Sequence, residues 1–166
     1  MLKGEIEGEN LVLRKLELIH LNQEYLDTLN DPEHMKWSRH RNEVHTLTTS
    51  ADFIGDLRAE GNEILGIFQK MTGILMGTIS LRKQTQSEIS LSFMILRNFV
   101  GQGVMTQALG LLISCLGQYK EFETLYIGTN SRNFPMRKLA ERSGFVMTIS
   151  RMEGSDIFCG YTRDIR

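Results

Sequence analysis

Hydrophobic and polar positions along the chain fall into short blocks whose period keeps changing, the mark of strands and helices in alternation. Residues 10–14 have the β-branched and aliphatic character of a first strand. Leu21, Tyr25, Leu26 and Leu29 recur at helical spacing and predict a helix over 20–30. Asp31-Pro32 stops it, because the residue before a proline is pushed out of the helical region. Residues 33–48 show neither period, hold three of the four histidines and the only tryptophan, and lead into a capped helix near 49–59. Beyond Gly61, residues 63–69 and 74–82 read as strands joined by a tight turn at 71–73. A longer turn at 83–87 precedes a third strand, 88–96, so three antiparallel strands follow one another. A long helix over 103–120, a strand over 125–129 and a helix over 135–143 with proline at its start come next. Residues 145–152 and 156–162 close the chain as a hairpin about Glu153-Gly154-Ser155. No linker, repeat or low-complexity stretch interrupts this order, which predicts one mixed α/β domain over residues 1–166.

Composition narrows the partner more than the fold. Of 166 residues, 41% are hydrophobic and 23% charged, as in ordinary globular chains. Nineteen basic residues against 20 acidic ones leave a net charge of -1. That removes the broad attraction on which nucleic-acid and membrane-surface binders rely, so neither is expected and a small or locally charged molecule is. Cys115 and Cys159 lie far apart and the first five residues lack an apolar leader, which predicts a reduced, cytoplasmic protein. The longest apolar stretch, 108–116, is interrupted by Gly110 and Ser114 and falls short of the ~20 residues a bilayer crossing needs. Cys115 sits among leucines as a packing thiol. His34, His40 and His45 have neither a His-Glu-x-x-His pattern nor i, i+4 spacing, so no metal site is expected.

Candidate chemistry concentrates in residues 94–108, where a strand ends, Gly101 and Gly103 follow, and a helix starts at once. Glycines let backbone N–H groups approach a phosphate, and the helix start leaves its first amides unpaired with the positive end of its dipole beside them. The same pair also makes ordinary helix-entry turns. The nucleotide-binding Lys-Ser/Thr pair and the third glycine of a dinucleotide fingerprint are both absent. Downstream, Asn133 is followed eleven residues later by Gly144-Phe145 in a strand, loop and helix unit.

Together these two motifs resemble the GNAT acetyltransferases, in particular the branch containing the ribosomal-protein alanine acetyltransferases. The resemblance implies a mostly antiparallel sheet of about seven strands, splayed where acetyl-CoA enters and flanked by helices. It implies that Asn98, Gly101, Gln102, Gly103, Val104, Met105 and Thr106 grip the pyrophosphate, with Asn133 on the second motif. Pantetheine would lie beside Met94, Ile95 and Leu96, where an amide near Met94 or Ile95 would hold the thioester oxygen. Acetyl would pass to a primary amine, without a metal. Three positions depart from the family pattern: Asn98 stands for Gln or Arg, Ala140 for the tyrosine that serves many relatives as acid, and Met136 for a serine. No general acid carries over, and a non-catalytic acyl-CoA-binding module is the competing reading.

Along residues 88–95, Glu88, Ser90, Ser92 and Met94 point one way and Ile89, Leu91, Phe93 and Ile95 the other. Thr78, Ser80 and Arg82 repeat the polar face on the neighbouring strand. This is either the solvent side of an antiparallel sheet or a polar floor beside the cofactor, with Glu88 as base, Ser90 positioning water and Ser80 beside the acceptor. The stretch Trp37, Arg39, His40 and Arg41, followed by His45, resembles acetyltransferases of bacterial surface-polysaccharide pathways acting on nucleotide-linked amino sugars. An indole can stack on a ring while arginines pair with phosphates, or Trp37 can simply anchor a solvated loop. The acceptor readings are therefore a nucleotide-linked amino sugar and, from the first resemblance, a protein N-terminus; a homodimer is a further expectation.

Overall fold

The computed structural model describes residue 2 and residues 4–166; Met1 and Lys3, on which the leader reading partly rests, lie outside the described residues. The strands are β1 (Ile6–Glu7), β2 (Leu11–Lys15), β3 (Glu63–Gln69), β4 (Leu75–Lys83), β5 (Glu88–Ile95), β6 (Thr124–Asn130), β7 (Val146–Glu153) and β8 (Asp156–Asp164). The helices are α1 (Gln23–Leu29), α2 (Leu47–Ala59), α3 (Val104–Leu116) and α4 (Phe134–Arg142). The strands form one sheet in the order β1-β2-β3-β4-β5-β6-β8-β7. Every neighbouring pair is antiparallel except β5 and β6, which run parallel.

The alternation of β2, β5 and β6 sends Leu11, Leu13, Ile89, Leu91, Leu125 and Ile127 to one face. There α3 lays down Ala108, Leu109, Leu112 and Leu116, at the helical spacing that makes one apolar stripe. Each fully buried leucine contributes about 1.5–3 kcal/mol. On the other face, α1 and α2 cover Ile64, Phe68 and Leu75 with Tyr25, Leu26, Leu29 and Ile54. They reach no farther than β5, so the half of this face on β6, β8 and β7 lies under no helix.

Details differ from expectation for local reasons. The sheet has eight strands instead of about seven, because β1 adds two residues too few to show a period. Helix α1 starts at Gln23, where the Asn22 side chain accepts a hydrogen bond from the Tyr25 amide, after a 3₁₀ turn at Leu18–His20. Helix α2 starts at Leu47, capped by Thr46 with Thr49 returning the bond. Helix α3 ends at Leu116, followed by Gly117, short of 120.

Candidate active site

Strands β5 and β6 hold together for four register pairs, from Glu88–Thr124 to Leu91–Ile127, and then part. Leu96 N–H donates to the Met76 carbonyl at 2.9 Å, which fixes the alternation of β5. The Met94 carbonyl faces Gly77 on β4, where a Cβ would come within 2.6 Å of it. The main-chain groups turned toward the gap are therefore those of Phe93 and Ile95. Of the two amides expected to hold the thioester oxygen, Ile95 faces the gap and Met94 faces β4. Leu96 is likewise engaged with β4, and its side chain is buried under α1 and α2.

At the mouth of the gap, Gly101 and Gly103 adopt φ of +79° and +73°, and no atom lies within 4 Å of where a Cβ would stand. Gly103 caps α3 without a side chain, which leaves the Val104, Met105 and Thr106 amides without helical partners. The loop closes on itself through the Gln102 side chain, which donates to the Asn98 carbonyl at 2.9 Å. These features fit a pyrophosphate at α3 held by backbone donors, and Gly101, Gly103, Val104, Met105 and Thr106 all line the cleft. Asn98 and Gln102 do not line it; their place is in shaping the loop. Asn133 lines it, but both ends of its amide are already bonded. Its Oδ1 accepts from the Met136 amide, capping α4, and its Nδ2 donates to Thr129 at 3.1 Å.

The cleft has a volume of about 1810 Å³ and runs from this loop across the uncovered half of the sheet. Its floor carries Glu88, Ser90, Ser92 and Tyr126, with Ser80 at one side. Ser90 lies in register with Tyr126, and Ser80 with Ser92. Burial pushes the Tyr126 phenol above its ordinary pKa; Arg151 and Arg39 pull it down, and Glu88 and Glu153 push it up. Four charges therefore surround that ring.

Over the cleft stands the loop of residues 31–45. Asn30 staples its neck, donating to the His45 carbonyl and accepting from the His45 amide, each at 2.8 Å. Arg97, just past β5, ties it down: its amide donates to Thr28 and its guanidinium sits 3.5 Å from Asp31. The His34 amide, with that of Glu33 and the Arg97 guanidinium, holds the Asp31 carboxyl below its ordinary pKa. Trp37 is half-buried, with the Arg132 guanidinium 5.5 Å and the Lys36 ammonium 5.7 Å from its ring. His40 pairs with Glu43 and meets Phe53 edge-on. The Arg41 guanidinium bonds the Ser38 carbonyl. Arg39 has no ion pair or hydrogen bond among the described residues, and its exposed guanidinium is available to a ligand.

One residue that the sequence raised only as a metal ligand has a different place. His34 places Nε2 2.8 Å from the Ile95 carbonyl, across the gap. The carbonyl only accepts, so Nε2 carries the proton. Sixty-one positions separate the two residues, and no local pattern points to the contact. Among the described residues no group of three His, Cys, Asp or Glu side chains is placed to hold a metal ion, and no helix is long and apolar enough to cross a membrane.

An amide-lined loop at a helix start, a parted strand pair and a polar floor beside it are the parts a group-transfer enzyme with a phosphate-bearing donor requires. Residues 10–146 match the family described as acetyltransferase (GNAT) domain, and the chain belongs to that family, whose donor is acetyl-CoA. The fold is similar to that of the ribosomal α-N-protein acetyltransferase RimL in complex with coenzyme A, at 16% identity and a TM-score of 0.82, covering 97% of this chain and 98% of that one. It is also similar to a GNAT-family acetyltransferase from Bacillus anthracis, at 15% identity and TM-score 0.84, covering 98% and 99%. A third similar structure is the microcin self-immunity acetyltransferase MccE in complex with acetyl-CoA and AMP, at 20% identity and TM-score 0.80, covering 95% and 93%. No curated protein matches the chain in sequence.

Proposed function

We propose that the acetyl group is passed by direct attack to a primary amine carried on a nucleotide-linked amino sugar. The observation that carries this reading is the acceptor side of the cleft. There the half-buried Trp37 and the unpaired Arg39 stand above a floor holding Glu88 and Ser90. In a chain of net charge -1, a free guanidinium in the cleft favours an anionic acceptor, and the indole favours a ring. MccE, in complex with acetyl-CoA and AMP, supports a nucleotide-bearing acceptor in a fold of this kind.

The acceptor amine must be neutral to attack, a minor state at pH 7 for amines with pKa about 8–10. Glu88 takes its proton through waters positioned by Ser90, because five residues of extended β5, about 16 Å, separate Glu88 from Phe93. The new N–C bond forms as the C–S bond breaks, and the sulfur leaves as thiolate and is protonated from solvent. Negative charge developing on the thioester oxygen is met by the Phe93 or Ile95 amide in the gap. The Val104, Met105 and Thr106 amides hold the pyrophosphate while the two reactants are aligned.

The test is CoA release with acetyl-CoA and a panel of UDP-glucosamine, glucosamine 6-phosphate and short peptides with free N-termini. Turnover with the nucleotide sugar is expected, and Glu88→Gln should lower kcat about 10²–10⁴-fold. A kcat/KM within twofold of wild type for both Glu88→Gln and Ser90→Ala removes the base assignment. Preferred turnover of peptides replaces the acceptor with a protein N-terminus, a second reading favoured by the acidic Glu33, Glu153 and Asp156 along the same cleft. Binding of acetyl-CoA without turnover on any amine would leave a non-catalytic module.

A further inference from the structure

The uncovered floor beyond β5 has a construction that transfer chemistry alone does not require. Gly128 on β6 and Gly160 on β8 face each other in register. Neither glycine has a positive φ, so neither is needed for a turn. Each is instead overlain by an aromatic ring from the other strand. A Cβ on Gly128 would stand 2.5 Å from the Phe158 ring, and one on Gly160 would stand 2.6 Å from the Tyr126 hydroxyl and 2.9 Å from its ring. The rings can lie this low on the sheet only because both positions lack a side chain. Tyr126 and Phe158 thus lie crosswise over the glycine pair, half-buried, with their surroundings open to the cleft.

The rims of this floor are charged. Arg151, in register with Phe158, leans on that ring with its guanidinium carbon 5.0 Å from the centroid and is tied to Glu153. The Tyr126 hydroxyl makes no hydrogen bond among the described residues, although its desolvation is enough to raise its pKa. A half-buried phenol without a partner is a donor kept for something that arrives.

We propose that Tyr126 and Phe158, set flat by the Gly128–Gly160 pair, form the subsite on which the acceptor's amino-sugar ring stacks. This rests on the nucleotide-linked acceptor reading and adds where its sugar lies. Position decides for the sugar against the base. The glycine pair lies two residues beyond the Ser90–Tyr126 register pair, beside the opening between β5 and β6. Gly128 directly follows Ile127, the last residue of β6 paired with β5, so the floor starts where the gap opens. The amine must reach about 3–3.5 Å from the thioester carbon, so the ring seated here is the one that carries the amine. The apolar face of a sugar covers the two rings, and its hydroxyls meet the Tyr126 hydroxyl and Glu153.

Calorimetric titration of the full chain with UDP-glucosamine and with UDP, in the presence of CoA, tests this. Phe158→Ala and Tyr126→Ala should weaken UDP-glucosamine about tenfold and leave UDP within twofold. Phe158→Tyr, which keeps a ring, should restore binding. Gly128→Ala, which lifts the Phe158 ring, should weaken UDP-glucosamine as Phe158→Ala does. A retained thermal shift with acetyl-CoA in each variant shows that the fold stands. Unchanged UDP-glucosamine affinity in both alanine variants overturns the subsite while the acceptor reading survives. Equal losses for UDP and UDP-glucosamine overturn the sugar assignment and give the floor to the base. Failure of UDP-glucosamine, dTDP-4-amino-4,6-dideoxyglucose and GDP-4-amino-4,6-dideoxymannose alike to bind the wild-type protein at millimolar concentration overturns the acceptor reading, and the subsite with it.

Discussion

Replacing Gly103 by alanine separates backbone strain from ligand binding. The residue sits at φ +73° with nothing within 4 Å of the added methyl, so the substitution meets no clash. Its cost is the left-handed conformation itself, about 1–2 kcal/mol for a residue with a Cβ. In a chain of this size that lowers the unfolding midpoint by roughly 2–8 °C. Gly73, in the turn between β3 and β4, has φ +71° and is equally open. Gly73→Ala should therefore cost the same stability, and it supplies the control. At Gly103 the chain can relieve strain by rotating toward negative φ, which re-aims the Val104, Met105 and Thr106 amides. A loop held at a cost of 1–2 kcal/mol loses about 5–30-fold in the population of its aimed form, and the KM for acetyl-CoA should rise by that factor. Thermal unfolding and CoA-release kinetics on both variants are the assays. If Gly103→Ala keeps its KM for acetyl-CoA within twofold while Gly73→Ala destabilises as expected, the amides at the start of α3 do not grip the donor.

Two further outcomes concern stability. Burial opposes ionisation of Glu63, but the Arg58 guanidinium at 2.9 Å, the Ile64 amide at 3.0 Å and Lys15 at 3.3 Å together hold its carboxyl below its ordinary pKa. A depressed carboxylate contributes stability above its unfolded pKa of about 4.5, and that contribution is lost as pH falls through the lower folded value. Glu63→Gln should cost about 1.5–3 kcal/mol at pH 7, the range of hydrogen bonds to charged groups, and flatten the loss below pH 4.5, which urea titration across pH reads; an unaltered acid slope would refute the pairing. Leu112→Ala, in the fully buried stripe of α3, should cost about 2.7–5 kcal/mol, seen as a lower urea midpoint at unchanged slope.

Elements set by local chemistry were legible in the sequence. The strands from β3 to β8 and helix α4 follow from period, turn glycines and the proline of α4, and each lies within a residue or two of its expected bounds. The glycine loop at α3 was legible as a piece of structure, because a strand end, two glycines and a helix start follow one another in the sequence. Contacts made by distant residues were not. Nothing near Ile6 shows that two residues suffice for β1 when β2 supplies the pairing. Nothing near β8 shows that it lies between β6 and β7. The direction of the Met94 amide depends on how β5 pairs with β4, since a shift of one residue reverses every main-chain group. Trp37 and Arg39 were legible as residue types out of place in an irregular stretch. His34 and the Gly128–Gly160 pair acquire meaning only once strands far apart in the chain are set side by side.

The single parallel junction between β5 and β6 also divides the molecule by its order of assembly. From β2 to β5, each strand pairs with the strand that precedes it in the chain, and β7 with β8 forms a hairpin. The β2–β3 and β6–β8 contacts also close across helices, but the β5–β6 contact, closed across α3, is the parallel one, which is less stable per residue. The two sections of sheet can thus mature separately and meet along a seam only four residue pairs long. On the proposed placement, a donor in the open continuation of that seam would touch both sections at once. It would act as mortar between them, its binding energy spent where the protein's own pairing is thinnest.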